Sequence, residues 1–275
     1  MGQESLIEVL VNQRWYNPFP KVRYTERPDS AAATLMEGGI ILLCDNNPAA
    51  MILPTSIFDF LQDTDDFSFP PMVGGYLKFV RSSVYFLSLI ITPIWYLLVK
   101  NPDYVPQSFL FFVQYGESTV PILLQLLLVE FGVDGLKLAS LNTPNALNSS
   151  LGIIGGLILG EMAIKVGWLS AQVIFYMAFA AIANFTQPSY ELGYAFKFMR
   201  ILTIVLISVF NAWGLLIGFF VTVLLIATNR GPALQSYLYP LVPFNRVALR
   251  RLILRSRLKP GQIQPVSRRY DKTHH

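Results

Sequence analysis

Apolar and polar positions follow two regimes along this chain. Through residue 70 they alternate in short stretches broken by turn residues. Ser5 to Asn12 has helical spacing. Pro18 and Pro20 restrict the residues before them, so Trp15 to Pro20 predicts irregular backbone. Asp29 or Ser30 caps a predicted helix through Glu37, closed by Gly38 and Gly39. Ile40 to Cys44 and Ala49 to Leu53 predict two strands joined by the turn residues Asp45 to Pro48. Thr55 or Ser56 opens another predicted helix through Leu61, and Asp63 to Asp66 reads as a solvated linker. So few short elements make a poor independent core. Residues 1–70 are therefore expected to be the C-terminal part of a larger cytoplasmic α/β soluble domain.

From residue 71 the pattern changes to long apolar runs, and residues 71–229 predict a transmembrane helical domain. Ser82 to Val99 carries no charge and is just long enough to cross a bilayer. Pro93 falls inside it, which membrane helices tolerate. Residues 105–138 mix apolar runs with Gln125, Glu130, Asp134 and Lys137, and predict an interfacial or re-entrant helical pair. Ile201 to Asn229 is the clearest uncharged run. Four spans result: 82–99, 149–167, 169–187 and 201–227. The fold class expected is a mainly α-helical membrane protein behind a small α/β fragment. Beyond it, 230–275 reads as a basic cytoplasmic tail, with an amphipathic surface helix from Val247 to Arg257.

The run Leu151 to Trp168 carries the most chemistry. Gly152, Gly156 and Gly160 recur every four residues and share one helix face, which permits close helix contact. Glu161 and Lys165 lie four apart on another face. Ionisable groups within hydrocarbon are costly and tend to be functional. The pair reads two ways: an ion pair at the membrane edge, with Lys165 reaching past Trp168, or Glu161 lining a water-filled path for ions. Glu130, Asp134 and Lys137 share a narrow arc, either a solvated face or a pore vestibule.

Composition supports the membrane reading. Of 275 residues, 53% are hydrophobic and 14% charged, against about 25% charged in soluble domains. The mean hydropathy is +0.47. The net charge of +4 conceals an asymmetry. Residues 1–81 hold 6 Lys/Arg and 10 Asp/Glu, 82–229 hold 5 and 6, and 230–275 hold 10 and 1. The basic excess thus belongs to the tail, where it fits anionic lipid rather than nucleic acid. Lys78, Arg81 and the tail arginines place both termini in the cytoplasm, whereas Lys197 and Arg200 would then fall outside. Cys44 is the single cysteine and reads as a small buried hydrophobe; the two histidines are His274 and His275. A zinc site or a Ser-His-Asp triad lacks raw material, and no phosphate-binding glycine loop occurs. No metal, cofactor or enzymatic activity is expected. The first twenty residues contain Glu4, Glu8 and Arg14 and lack the apolar core of a secretory signal.

Several longer segments carry a family resemblance. Trp15 to Asp29 (WYNPFPKVRYTERPD), the strand-turn-strand Ile40 to Leu53, Leu141 to Pro144, the Gly160-Glu161 helix and Pro188 to Gly193 together resemble the GerA family of spore germination proteins. The resemblance runs from about residue 5 to about residue 270. It implies an integral protein of the spore inner membrane with a cytoplasmic N-terminal domain and a helical membrane domain. It also implies assembly into oligomeric, ion-conducting complexes, with membrane lipid, further copies of the chain and another spore membrane protein as partners. The family's soluble domain is longer, so only its last part is expected here. The contrasting expectation is a non-conducting membrane scaffold.

Overall fold

In the computed structural model the residues described are 7–9, 11, 14–36, 39–62, 69–113, 118–141, 157–229, 236–242 and 244–246. The chain forms two compact units. One comprises Met1–Val84, Gln187–Ala195 and Val221–His275; the other comprises Tyr85–Thr186 and Phe196–Phe220.

In the first unit β1 (Arg23–Thr25) precedes α1 (Pro28–Met36), β2 (Ile40–Leu42) and β3 (Ala50–Leu53). All pairing is antiparallel, and β3 lies in the centre of the order β1-β3-β2. The register sets Arg23 opposite Ile52 on one side and Ile41 opposite Ile52 on the other. Every residue of β3 is buried, as a central strand in a covered sheet should be. Val11, Val22, Met51 and Leu53 form its core, with Cys44 packed against them. The two anticipated strands are present, and β1 is a third that the sequence pattern did not reveal. Its three residues, Arg-Tyr-Thr, are too few and too polar to show a period. The helix anticipated from Thr55 or Ser56 is reduced to one 3-10 turn, Asp59–Leu61. Asp59 Oδ2 accepts hydrogen bonds from both Ser56 N and Ser56 Oγ, each at 2.8 Å. Arg23 closes the turn by donating to the carbonyls of Asp59 and Gln62.

Helices dominate the rest. They are α2 (Pro71–Lys100), α3 (Ile122–Leu141), α4 (Ala171–Phe185), α5 (Tyr190–Phe210) and α6 (Ala212–Thr228). A π-helical turn, Leu157–Met162, runs into Ala163–Lys165 before α4. Ser170 caps α4, its Oγ accepting from Val173 N. Pro121, just ahead of α3, lacks the N–H that would be orphaned there anyway. Among the described residues two stretches, Met72–Lys100 and Tyr190–Phe210, are long and apolar enough to cross a membrane. The shorter apolar helices are α4 and α6. The glycines Gly152 and Gly156, the linker Asp63–Asp66 and the tail helix Val247–Arg257 lie outside the described residues.

The run 201–227, expected to be one span, is divided between α5 and α6. Asn211 stands between them with φ 55°, in the left-handed region that Asn tolerates better than most residues. The chain then doubles back. A side chain at Gly214 would strike the Leu206 carbonyl, and one at Gly218 would meet Thr203 Oγ1 at 2.5 Å. The two glycines stand four apart on one face of α6, so α5 and α6 approach at backbone distance.

The core of the helical unit is built around Trp95, Tyr96, Leu126, Val173, Tyr176, Met177, Ile204 and Ile207. Trp95 stacks on Tyr176 with ring centroids 4.7 Å apart. Its indole N–H, which needs a partner once buried, donates to the Phe112 carbonyl at 2.9 Å.

Candidate functional site

Four ionisable side chains meet between α3 and α5. On α3, Glu130 and Asp134 stand one turn apart on the same face. On α5, Lys197 and Arg200 stand three residues apart and face them. Arg200 Nη2 approaches Glu130 Oε1 at 2.6 Å, and Lys197 Nζ approaches the same oxygen at 3.2 Å. Lys197 also bridges to Asp134 and donates to the Glu130 carbonyl at 3.4 Å. Arg200 Nη1 donates to the Ser88 carbonyl of α2 at 3.3 Å. The side chains of Arg200, Lys197 and Glu130 are 2%, 5% and 8% exposed, whereas Asp134 is 32% exposed.

Two cations and two carboxylates compensate each other. An isolated charge in such surroundings would carry a desolvation penalty of several kcal/mol. Here Glu130 is held by two cations and Asp134 by one. Arg200 Nε is buried without a hydrogen-bond partner among the described residues, so the guanidinium is not fully satisfied. Along its helix Arg200 lies eleven residues, about 16 Å, from the turn at Asn211. Ser88 lies twelve residues, about 18 Å, from the end of α2. Both distances are near half the ~30 Å thickness of a hydrocarbon layer, which places the cluster at mid-helix.

Two neutral networks hold the surrounding helices. Gln125 is fully buried. Its Nε2 donates to Ser118 Oγ and the Val120 carbonyl, and its Oε1 accepts from Ser170 N at 2.8 Å. The start of α3 is thereby tied to the cap of α4. At the end of α2, Asn101 and Asn211 exchange reciprocal amide hydrogen bonds of 2.6 and 2.7 Å. Lys100 donates to the carbonyls of Ile207 and Ser208 at the close of α5, where a cation is favoured; the Ile207 carbonyl also accepts from Asn211 N at 2.9 Å.

The site residues read from the sequence separate into two places. Glu130 and Asp134 enter the buried cluster. Glu161 and Lys165 pair with each other at 2.6 Å, with side chains 53% and 63% exposed. Gly160 lies in the π-helical turn, and a Cβ there would meet nothing within 4 Å. Lys137 lies on the same helix as Glu130 and Asp134 and stands over the Phe185 ring, 5.7 Å from its centroid. From the sequence, Lys197 and Arg200 fell outside, in conflict with the orientation set by the other basic residues. They are instead interior partners of Glu130 and Asp134, and do not bear on which side the loop faces. Their three-residue spacing, matched to the four-residue spacing on α3, was the available signal. Among the described residues no group of three or more His, Cys, Asp or Glu is placed to hold a metal ion.

The fold and this cluster define a class: a mostly helical protein with two helices able to cross a membrane and charges compensated between apolar helices. Residues 1–266 match the family model described as Bacillus/Clostridium GerA spore germination protein. The chain belongs to the GerA spore germination family. It is similar to stage V sporulation protein AF of Bacillus subtilis (strain 168), with 42% identity covering 95% of this chain and 52% of that protein. Spore germination protein GerQA of Bacillus cereus is 29% identical, covering 82% of this chain and 46% of its own length. The uncharacterized membrane protein YfkQ of Bacillus subtilis (strain 168) is 25% identical, covering 92% and 50%. The chain spans about half the length of these relatives. No solved structure matches it.

Proposed function

We propose that this chain is a non-enzymatic subunit of an oligomeric complex in the spore inner membrane that conducts ions during germination. The observation that carries this reading is the Glu161–Lys165 pair. It stands open to solvent at the end of an apolar run, and in a bilayer such a pair requires water beside it. Asp134, one-third exposed at the edge of the buried cluster, is the second acidic group on that path. Glu130 is consumed in holding α3 to α5.

Four crossings fit the described helices: α2, α4, α5 and α6. Gln187–Ala195, the connection from α4 to α5, clusters with the N-terminal residues and with the chain beyond Val221. An even number of crossings returns the chain to one side, with both termini facing the spore core. This assignment replaces the single span 201–227 with the α5–α6 hairpin. It counts neither α3 nor the described residues 157–167 as a crossing. Membrane lipid, further copies of the chain and another spore membrane protein are the partners of this reading.

Potassium release from germinating spores tests it. Glu161→Gln and Gly156→Leu are each expected to slow release; normal release in both variants would remove the conduction role from this segment. A second reading, a non-conducting scaffold, draws on the full compensation of charge in the cluster, since four paired charges can serve packing alone.

A further inference from the structure

We propose that Trp15 and Tyr16, with Arg14, form an interfacial anchor that sits in the lipid headgroup layer beside the end of α6. This rests on the reading of α6 as a membrane crossing.

The position of the anchor is fixed by two buried amides. Asn17 Nδ2 donates to the Leu225 carbonyl at 3.1 Å. Asn229 Nδ2 donates back to the Phe19 carbonyl at 3.2 Å. Asn17 and Asn229 are 5% and 2% exposed, and Phe19 is fully buried. Segment 17–19 is thereby fastened to the last turn of α6. Leu225 lies three residues, about 4.5 Å along the axis, from the helix end at Thr228. A helix that crosses a bilayer places that level at the boundary between hydrocarbon and headgroups.

Trp15 is two residues from Asn17, within about 7 Å of chain, and is 95% exposed. Tyr16 is half exposed and meets the Trp15 ring edge-on at 5.9 Å. Arg14 Nη1 donates to the Tyr16 hydroxyl at 2.9 Å, and its guanidinium lies over the same ring. The indole is thus left open while its neighbours are ordered around it. Trp and Tyr, with an apolar body and a polar tip, favour the membrane–water interface. Arg14 supplies charge for anionic headgroups, and the following sequence continues it with Arg230 directly after Asn229.

The test uses the full chain in vesicles of phosphatidylglycerol and phosphatidylcholine carrying quenchers at the headgroup or deep in the acyl chain. Emission of the parent minus that of Trp15→Phe isolates Trp15 without disturbing buried Trp95. The expected difference signal is blue-shifted and quenched mainly by the headgroup label. A signal characteristic of water and untouched by either label would overturn the anchor. Phe220→Trp, read the same way, reports on the crossing. Deep quenching there with none at Trp15 defeats the anchor alone. No deep quenching there removes the crossing and the anchor with it.

Discussion

Arg200 is nearly sealed from solvent, and its guanidinium divides its donors between a carboxylate on α3 and a carbonyl on α2. Arg200→Ala leaves Glu130 and Lys197 with an unbalanced charge set, and removal of one partner from a buried pair costs about 3–5 kcal/mol. Thermal unfolding in detergent should show that loss. The double variant Glu130→Gln/Arg200→Met should recover most of it, because Lys197 keeps Asp134. A double variant as unstable as the single one would show that the guanidinium acts through something other than the ion pair. Tyr237 offers a residue-scale test in the other unit. Its ring packs against Phe60, and its hydroxyl is buried without a hydrogen-bond partner among the described residues. Burial, reinforced by the nearby Asp59 carboxylate, pushes the phenol well above its usual pKa. The unfolded chain therefore loses the proton first. Stability is unaffected by this group below about pH 10 and falls as pH rises beyond it. Tyr237→Phe should flatten that alkaline decline when unfolding is followed against pH. The charges on α3 were legible as anomalies among leucines. Their partners lie roughly seventy residues away, and local periodicity carries no information on contacts at that separation.

The α5–α6 hairpin shows what hydropathy can and cannot report about an element. Twenty-nine uncharged residues read as one long helix, because a turn made by a single Asn adds no polar loop. Asn211 was visible as the one amide inside the run, ahead of Asn229 at its end, but nothing local distinguished a buried polar group from a reversal of direction. The close contact of α6 with α5 gives a direct check. Gly218→Leu drives a branched side chain into Thr203, and should lower the unfolding temperature sharply. Gly160→Leu meets open space among the described residues and should leave that temperature unchanged. Asn211→Ala should cost at least about 1 kcal/mol from its left-handed backbone, together with the lost pairing to Asn101. Asn211→Gly should recover the backbone part only. In the N-terminal sheet, β2 and β3 were legible from apolar runs bounded by turn residues. β1 was not, because its position is set by the exposed edge of β3 rather than by its own pattern.

At the scale of the whole molecule, the sequence conveyed the fold class: mostly apolar helices, with a small antiparallel sheet near the N-terminus. Of the four helices proposed to cross, two are shorter than a hydrocarbon layer is thick and one boundary is a hidden turn. The arrangement proposed here leads to a topology experiment. With Cys44 replaced, a cysteine at Trp168 should react with an impermeant reagent on the side opposite both termini, and one at Tyr190 on the same side as the termini. The central claim concerns conduction, and the most direct measurement is current across a planar lipid bilayer containing the purified chain with its membrane partners. The account predicts discrete cation-selective conductance that falls when Glu161 is changed to Gln. A silent bilayer, with the same preparation shown to be folded and inserted, would contradict it and favour the scaffold.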